Sequence, residues 1–230
     1  MAKHARSKLI MQPRFRADYP GEFVVLNTTW SGGRQRQQRE WIENPIQNQH
    51  ISGRAVCIGS GIDLDKFDYT ILQRHRGGLL GTLKLQTYGV GQIAEQMRLD
   101  FTVEDNKEQL DQLISNEYHT NNVIYTTTKN CIANPGSCYL IPLPPHVMLP
   151  AMPMYLAAFD GHKEIFLLGY NKETQFENPK WIDNVKEVMN TYSGVKFWLV
   201  GIPTNMPNTW LDCANVETMT YRDFITYCDI

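Results

Sequence analysis

The chain has 230 residues, of which 42% are hydrophobic and 20% charged, so it can bury a full core and is not an intrinsically disordered polymer. Its formal net charge is −2, and neither a membrane-length apolar run nor a signal-peptide pattern is visible, which argues against a membrane-embedded or secreted protein and for a cytoplasmic one. The charge is uneven: residues 1–100 carry 14 basic and 9 acidic side chains, and residues 101–230 carry 8 and 15.

In chain order, residues 22–30 (EFVVLNTTW) are rich in β-branched and aromatic types and predict a strand. Ser31-Gly32-Gly33 is a turn signal, and 34–42 (RQRQQREWI) is its return strand. Arg34, Arg36 and Arg39 there read either as a polar edge that discourages aggregation or as a basic arm for phosphate or another subunit. Residues 1–50 thus form an N-terminal arm with a β-hairpin, and 51–230 a separate α/β domain.

From residue 54 onward, short apolar runs alternate with helical patterns. Residues 55–59 (AVCIG) predict a strand buried on both faces. A weaker strand is expected over 78–82, a short helix over 93–99 and a strand over 100–103. Residues 104–118 show Leu110, Leu113 and Ile114 at helical spacing, with acidic residues in the first turn. Strands follow over 123–127 and 138–143. Five prolines between 142 and 153 predict a loop. A helix over 154–159, a strand over 164–169 (EIFLLG), a helix from Pro179 to 192 and a strand over 196–201 (KFWLVG) come next. A strand over 216–219 and a helix from Tyr221 close the chain. Strands separated by such helices predict a Rossmann-like, mostly parallel sheet with helices on both faces. Ligands on such a sheet bind beyond the carboxyl ends of its strands. The loops after residues 59, 82, 103, 127 and 169 are therefore where chemistry is expected.

The five cysteines, Cys57, Cys131, Cys138, Cys213 and Cys228, form no C-x-x-C pair and do not cluster with the six histidines. Neither a metal site nor a structural disulfide is expected.

Two stretches stand out. Gly59-Ser60-Gly61-Ile62-Asp63 follows the first buried strand and leads into a helix start. Glycines there let backbone N–H groups approach a phosphate, but neither the dinucleotide fingerprint nor the P-loop is complete. The second stretch is Phe159 to Asn171 (FDGHKEIFLLGYN), where a helix ends at glycine and an apolar strand runs on to Gly169. His162 sits at the amino end of that strand, opposite the expected ligand face, and reads as structural.

Together these stretches resemble the bacterial sialyltransferase-like group, whose general pattern is shared by archaeal hydroxymethylpterin pyrophosphokinase-like proteins. The loop that reads like G-N-G-P-S-L in the sialyltransferases is GSGIDL here, and Lys66-Phe67-Asp68-Tyr69 matches in place and character. The resemblance covers about residues 54–171. It implies a nucleotide or nucleotide-sugar ligand and no other cofactor. Gly59, Ser60, Gly61 and Asp63 would approach its phosphate or ribose, Thr82 and Asp105 would flank it, and Gly169, Tyr170 and Asn171 would close the far side. Two departures follow: the family's T-S-G-like turn is replaced by Met148-Leu149-Pro150, and residues 172–192 lack the family's base histidine. Asp160, Glu173 or Glu177 could take that role only in an altered environment.

The expected function is a nucleotide-sugar-binding, glycosyltransferase-like protein, active or catalytically degenerate. The alternative is a non-enzymatic binding or assembly protein that keeps the fold and uses residues 1–50 to contact a protein partner or a second copy. Nucleic-acid binding through residues 34–39 is disfavoured by the overall acidity and by the lack of a recognisable motif.

Overall fold

The computed structural model describes residues 22–43, 53–74, 85–141, 147–171 and 179–230. The chain divides into two compact units, one within 1–47 and 104–146, the other within 48–103 and 147–230.

The larger unit holds six parallel strands: β3 (Arg54–Ile58), β4 (Gln86–Val90), β5 (Phe101–Val103), β8 (Glu164–Leu168), β9 (Lys196–Val200) and β10 (Val216–Met219). They lie in the order β10-β9-β8-β3-β4-β5. The chain starts in the middle at β3, steps outward through β4 and β5, then returns to the other side of β3 with β8. This is the Rossmann order, and its direction reverses between β3 and β8.

Both sheet faces are covered, which is why β3, β8 and β9 read as continuous apolar runs rather than alternating ones. On one face lies α4 (Ala151–Phe159), all nine of whose residues are buried. A helix apolar on every side needs cover on every side. It packs on β3, β4, β5 and β8, and on α5 (Lys180–Thr191). Helix α5 buries Trp181, Asn184, Val185, Val188 and Met189 at helical spacing, and Asn184 accepts a hydrogen bond from the Met148 N–H at 2.9 Å. The other face carries α7 (Tyr221–Cys228), started by the Thr220 side chain accepting from the Asp223 N–H. Phe224 of α7 meets Phe166 of β8 with ring centroids 5.1 Å apart, and Tyr221 stacks on Phe67 at 4.9 Å. Short helices α1 (Gly91–Ala94) and α6 (Asn208–Leu211) complete the unit.

The smaller unit pairs β6 (Val123–Thr126) parallel to β7 (Tyr139–Leu140). Strand β1 (Glu22–Ser31) runs antiparallel to β7 through Glu22 and Phe23, and antiparallel to β2 (Arg34–Glu43) along its whole length. The hairpin closes through Gly32 and Gly33, both at positive φ (58° and 72°), the two-residue turn that suits strand twist. Helices α2 (Lys107–Ser115) and α3 (Thr128–Ala133) belong to this unit.

The Rossmann-like α/β reading holds, with differences in its elements. Strand β4 was not expected; the strand expected over 78–82 lies outside the described residues. Helix α2 starts at 107 rather than 104, because Asn106 caps it, accepting from the Glu108 and Gln109 N–H groups. Helix α4 starts inside the predicted proline loop. Pro150 and Pro153 are tolerated there because the first turn of a helix has no intrahelical use for its N–H groups. The 93–99 helix is reduced to α1, ending at Ala94.

Candidate functional site

The reversal point is built from two turns. Ile58 and Leu168 are register partners, so β3 and β8 end side by side. The Gly59 N–H donates to the Leu168 carbonyl and the Gly61 N–H to the Gly169 carbonyl, both at 2.8 Å. Gly169 has φ +68°, a left-handed conformation that glycine adopts freely. A Cβ on Gly59 would stand 2.8 Å from the Gly169 carbonyl oxygen, and one on Gly61 would stand closer still. The sequence reads these glycines as leaving room for a ligand. The structure supplies a nearer reason: each turn leaves room for the other.

The side chains at this point are polar and enclosed. Ser60 is 9% exposed and Tyr170 2%, and neither hydroxyl has a hydrogen-bond partner among the described residues. Burial holds the Tyr170 phenol well above its usual pKa, so it stays protonated. Asn171 is buried beside Gly61, where its amide would meet a Cβ. Gly61 also precedes a 3₁₀ turn over Ile62–Lys66, which contains Asp63. Six of the nine expected site residues are thus brought together: Gly59, Ser60, Gly61, Gly169, Tyr170 and Asn171. Thr82 lies outside the described residues. Asp105 lies in the smaller unit, where burial raises its carboxyl pKa and its backbone carbonyl accepts from Asn130 Nδ2 at 2.9 Å.

The neighbouring strand end was missed by the sequence reading. β4 stops at Val90, and Gly91-Gln92 begin α1 there. Gly89 pairs with Ile58, and a Cβ on it would meet Leu99 at 2.8 Å. The signal was weak, because the run over 85–90 (LQTYGV) is interrupted by Gln86, Thr87 and Gly89.

Among solved structures, the chain resembles CstII, a sialyltransferase from Campylobacter jejuni. With CstII in complex with cytidine-5'-monophosphate the identity is 14% and the TM-score 0.39, covering 63% of this chain and 78% of that one. With CstII in complex with CMP-3FNeuAc they are 13% and 0.43, covering 74% and 89%. No family model and no curated protein matches the sequence. Nothing found supports the pterin pyrophosphokinase-like part of the resemblance.

A second polar cluster sits at the opposite, amino-terminal end of the strands. The Tyr88 hydroxyl donates to Asp160 Oδ2 at 2.9 Å and lies 3.0 Å from His162 Nε2. Asp160 and His162 fall between the end of α4 and the start of β8; they are 4% and 0% exposed. Burial pushes the Asp160 carboxyl up to about 7, against the lowering effect of the Tyr88 hydrogen bond. Asp160 therefore does not serve the turns at the carboxyl ends, and His162 is the enclosed structural histidine that its place in the sequence indicates. Glu173 and Glu177 lie outside the described residues. Among the described residues no group of three or more His, Cys, Asp or Glu side chains is placed to hold a metal, and no helix is long and apolar enough to cross a membrane.

Proposed function

We propose that the turns after β3 and β8 bind a nucleotide sugar and that the chain is glycosyltransferase-like. One observation carries the reading: the strand order reverses between β3 and β8, and both of these strands end in glycine turns lying against each other. Open α/β sheets place ligands at this topological position. The unpartnered hydroxyls of Ser60 and Tyr170 support it, since a buried polar group without a partner is costly and a ligand can supply one. On this reading Ser60 and the turn backbone face the nucleotide, with Tyr170 and Asn171 behind them. No proton-transfer group is assigned, because the candidates among the described residues stand at the other end of the sheet.

The test is a thermal-shift titration with cytidine and uridine nucleotides and their sugar conjugates, on the wild type and on Ser60→Val. A ligand that binds only the folded state raises the melting temperature as its concentration passes Kd. The expected result is a saturable shift in the wild type that is weakened at least tenfold in Ser60→Val. No shift with any of these nucleotides would overturn the reading. Gly61→Val is unsuitable as the test variant, since its side chain collides with the Gly169 carbonyl whether or not a ligand binds.

A further inference from the structure

The two faces of the β1–β2 ribbon differ in kind. Its register sets Leu26 opposite Arg39, Thr28 opposite Gln37 and Trp30 opposite Gln35. Between these pairs Asn27 lies opposite Gln38 and Thr29 opposite Arg36. Side chains alternate along a strand, so the first three pairs share one face and the other two share the opposite face. The first face runs on from Val24 and Trp41, which are register partners and buried. The second face carries Asn27, Thr29, Arg34, Arg36 and Gln38, all polar and all exposed. Glu40, the next residue on that face, accepts from Asn27 Nδ2 toward the base of the ribbon.

The charge of this region is opposite to that of the chain as a whole. Residues 23–39 hold three arginines and no acidic side chain. Residues 1–39 carry 8 basic and 2 acidic side chains, whereas residues 40–230 carry 14 and 22. The overall acidity that argues against nucleic acid therefore belongs to the rest of the sequence. Exposed charges are screened beyond about 10 Å at 0.1 M salt, so a polyanion at the ribbon meets the local sign and not the total.

Shape and residue type narrow the polyanion further. Two paired strands lie about 5 Å apart, and the six residues from Leu26 to the turn span about 20 Å. The major groove of B-DNA, about 12 Å wide, admits a ribbon of two strands. Arginine reads guanine edges there, and asparagine and glutamine read adenine edges. These are the types gathered on the second face. The major groove of an RNA duplex is too narrow and deep to be read this way.

We propose that the β1–β2 ribbon enters the major groove of duplex DNA with the face of Arg34, Arg36 and Gln38 toward the base edges. This is independent of the nucleotide-sugar reading.

The experiment titrates the full chain into a fluorescently labelled DNA duplex of mixed sequence, about two helical turns long, and reads anisotropy at low and at physiological salt. Duplex RNA and single-stranded DNA of the same sequence are titrated beside it. The expected result is saturable binding to duplex DNA that weakens steeply with salt, and binding at least about tenfold weaker to the RNA duplex and to the single strand. Replacing both Arg34 and Arg36 by alanine should lower the affinity at least about tenfold and make the salt dependence shallower. Arg36→Lys keeps the charge but loses the planar fork, so it should weaken binding and leave the salt dependence in place. Thr28→Ala and Gln37→Ala, on the opposite face, should stay within about twofold of the wild type. Circular dichroism and melting temperature of each variant separate loss of binding from loss of fold. Absence of saturable binding at low salt would overturn the proposal. So would equal affinity for the DNA and RNA duplexes, tighter binding of the single strand, or equal losses from variants of the two faces.

Discussion

The two ends of the six-stranded sheet place their polar groups differently. At the amino end a set of polar groups is matched, although the buried Gln86 amide at the start of β4 has no partner among the described residues. Tyr88 joins Asp160 and His162, and the Glu164 carboxylate accepts from Arg54 Nε, Tyr227 and Trp198. At the carboxyl end the backbones of two turns bond directly, and Ser60 and Tyr170 beside them keep hydroxyls with no partner among the described residues. A protein gains stability by pairing buried polar groups and gives some up by leaving them unpaired. The contrast is therefore between two groups of side chains: Tyr88, Asp160 and His162, whose bonds hold the fold, and Ser60 and Tyr170 at the turns, whose hydroxyls remain to be explained.

The largest effect should come from closing the gap between the turns. Gly61→Val puts side-chain carbons where the Gly169 carbonyl and the Asn171 amide already stand. Neither backbone can yield without losing the Gly61–Gly169 hydrogen bond. A loss of about 3 kcal/mol or more is expected from overpacking together with a broken buried hydrogen bond. Urea unfolding measures it, and a loss below about 1 kcal/mol would mean that the turns are not in contact.

Next comes Tyr88→Phe. It removes the hydroxyl shared by Asp160 and His162 and leaves a buried carboxyl without that donor. A cost of about 2 kcal/mol is expected. Asp160→Asn tests the same cluster through pH. Asp160 holds its proton up to about 7 in the folded chain, against about 4 when unfolded. The unfolded chain therefore releases the proton first as pH rises. The stability given by the neutral carboxyl is complete below the unfolded value and is lost as pH climbs through about 7. Asparagine cannot ionise, so the variant should gain on the wild type across that window, by about 1 kcal/mol or more. Denaturation midpoints below and above pH 7 measure the gain; equal differences at both would show that Asp160 does not titrate as its burial requires.

Glu164 titrates in the opposite sense and more weakly. Burial raises its pKa, but hydrogen bonds from Tyr227, Arg54 and Trp198 outweigh this and leave it below the usual value. Its contribution is present above the unfolded pKa and fades as pH falls through the folded one. Since the carboxylate is partly exposed, Glu164→Gln should cost under about 1 kcal/mol near neutrality and nothing in acid.

The sequence shows the strands of this sheet better than it shows its polar cluster. β3, β8 and β9 are legible because a strand covered on both faces has to be apolar throughout, and the turns that end β3 and β8 are marked by Gly59, Gly61 and Gly169. What those glycines face is a matter of tertiary register: nothing local to 59–61 says that residue 169 arrives opposite. Helix α4 is half legible, since its prolines look like a breaker until their place in the first turn is known. The Tyr88–Asp160–His162 cluster is not legible. Tyr88 is more than seventy residues from Asp160 and His162 in sequence, and β4, which carries Tyr88, is polar at Gln86 and Thr87 although buried throughout. Those two residues hide the strand. Thr87 is paired with Asp100, its N–H and hydroxyl both donating to Oδ2.

The smallest effect is also the sharpest comparison, because one atom can be removed from each end. Tyr170→Phe deletes a buried hydroxyl like that of Tyr88, but this one has no partner among the described residues to lose. Removing a buried polar atom without a partner recovers its desolvation cost and leaves the ring packing in place. The unliganded chain should therefore become more stable by up to about 1 kcal/mol, the reverse in sign of Tyr88→Phe. If the Tyr170 hydroxyl is held for a ligand, the same variant should lose part of its nucleotide-induced thermal shift while its unliganded melting temperature rises. A Tyr170→Phe chain as destabilised as Tyr88→Phe would mean that the carboxyl end is satisfied after all, and the distinction between the two ends would fall with it.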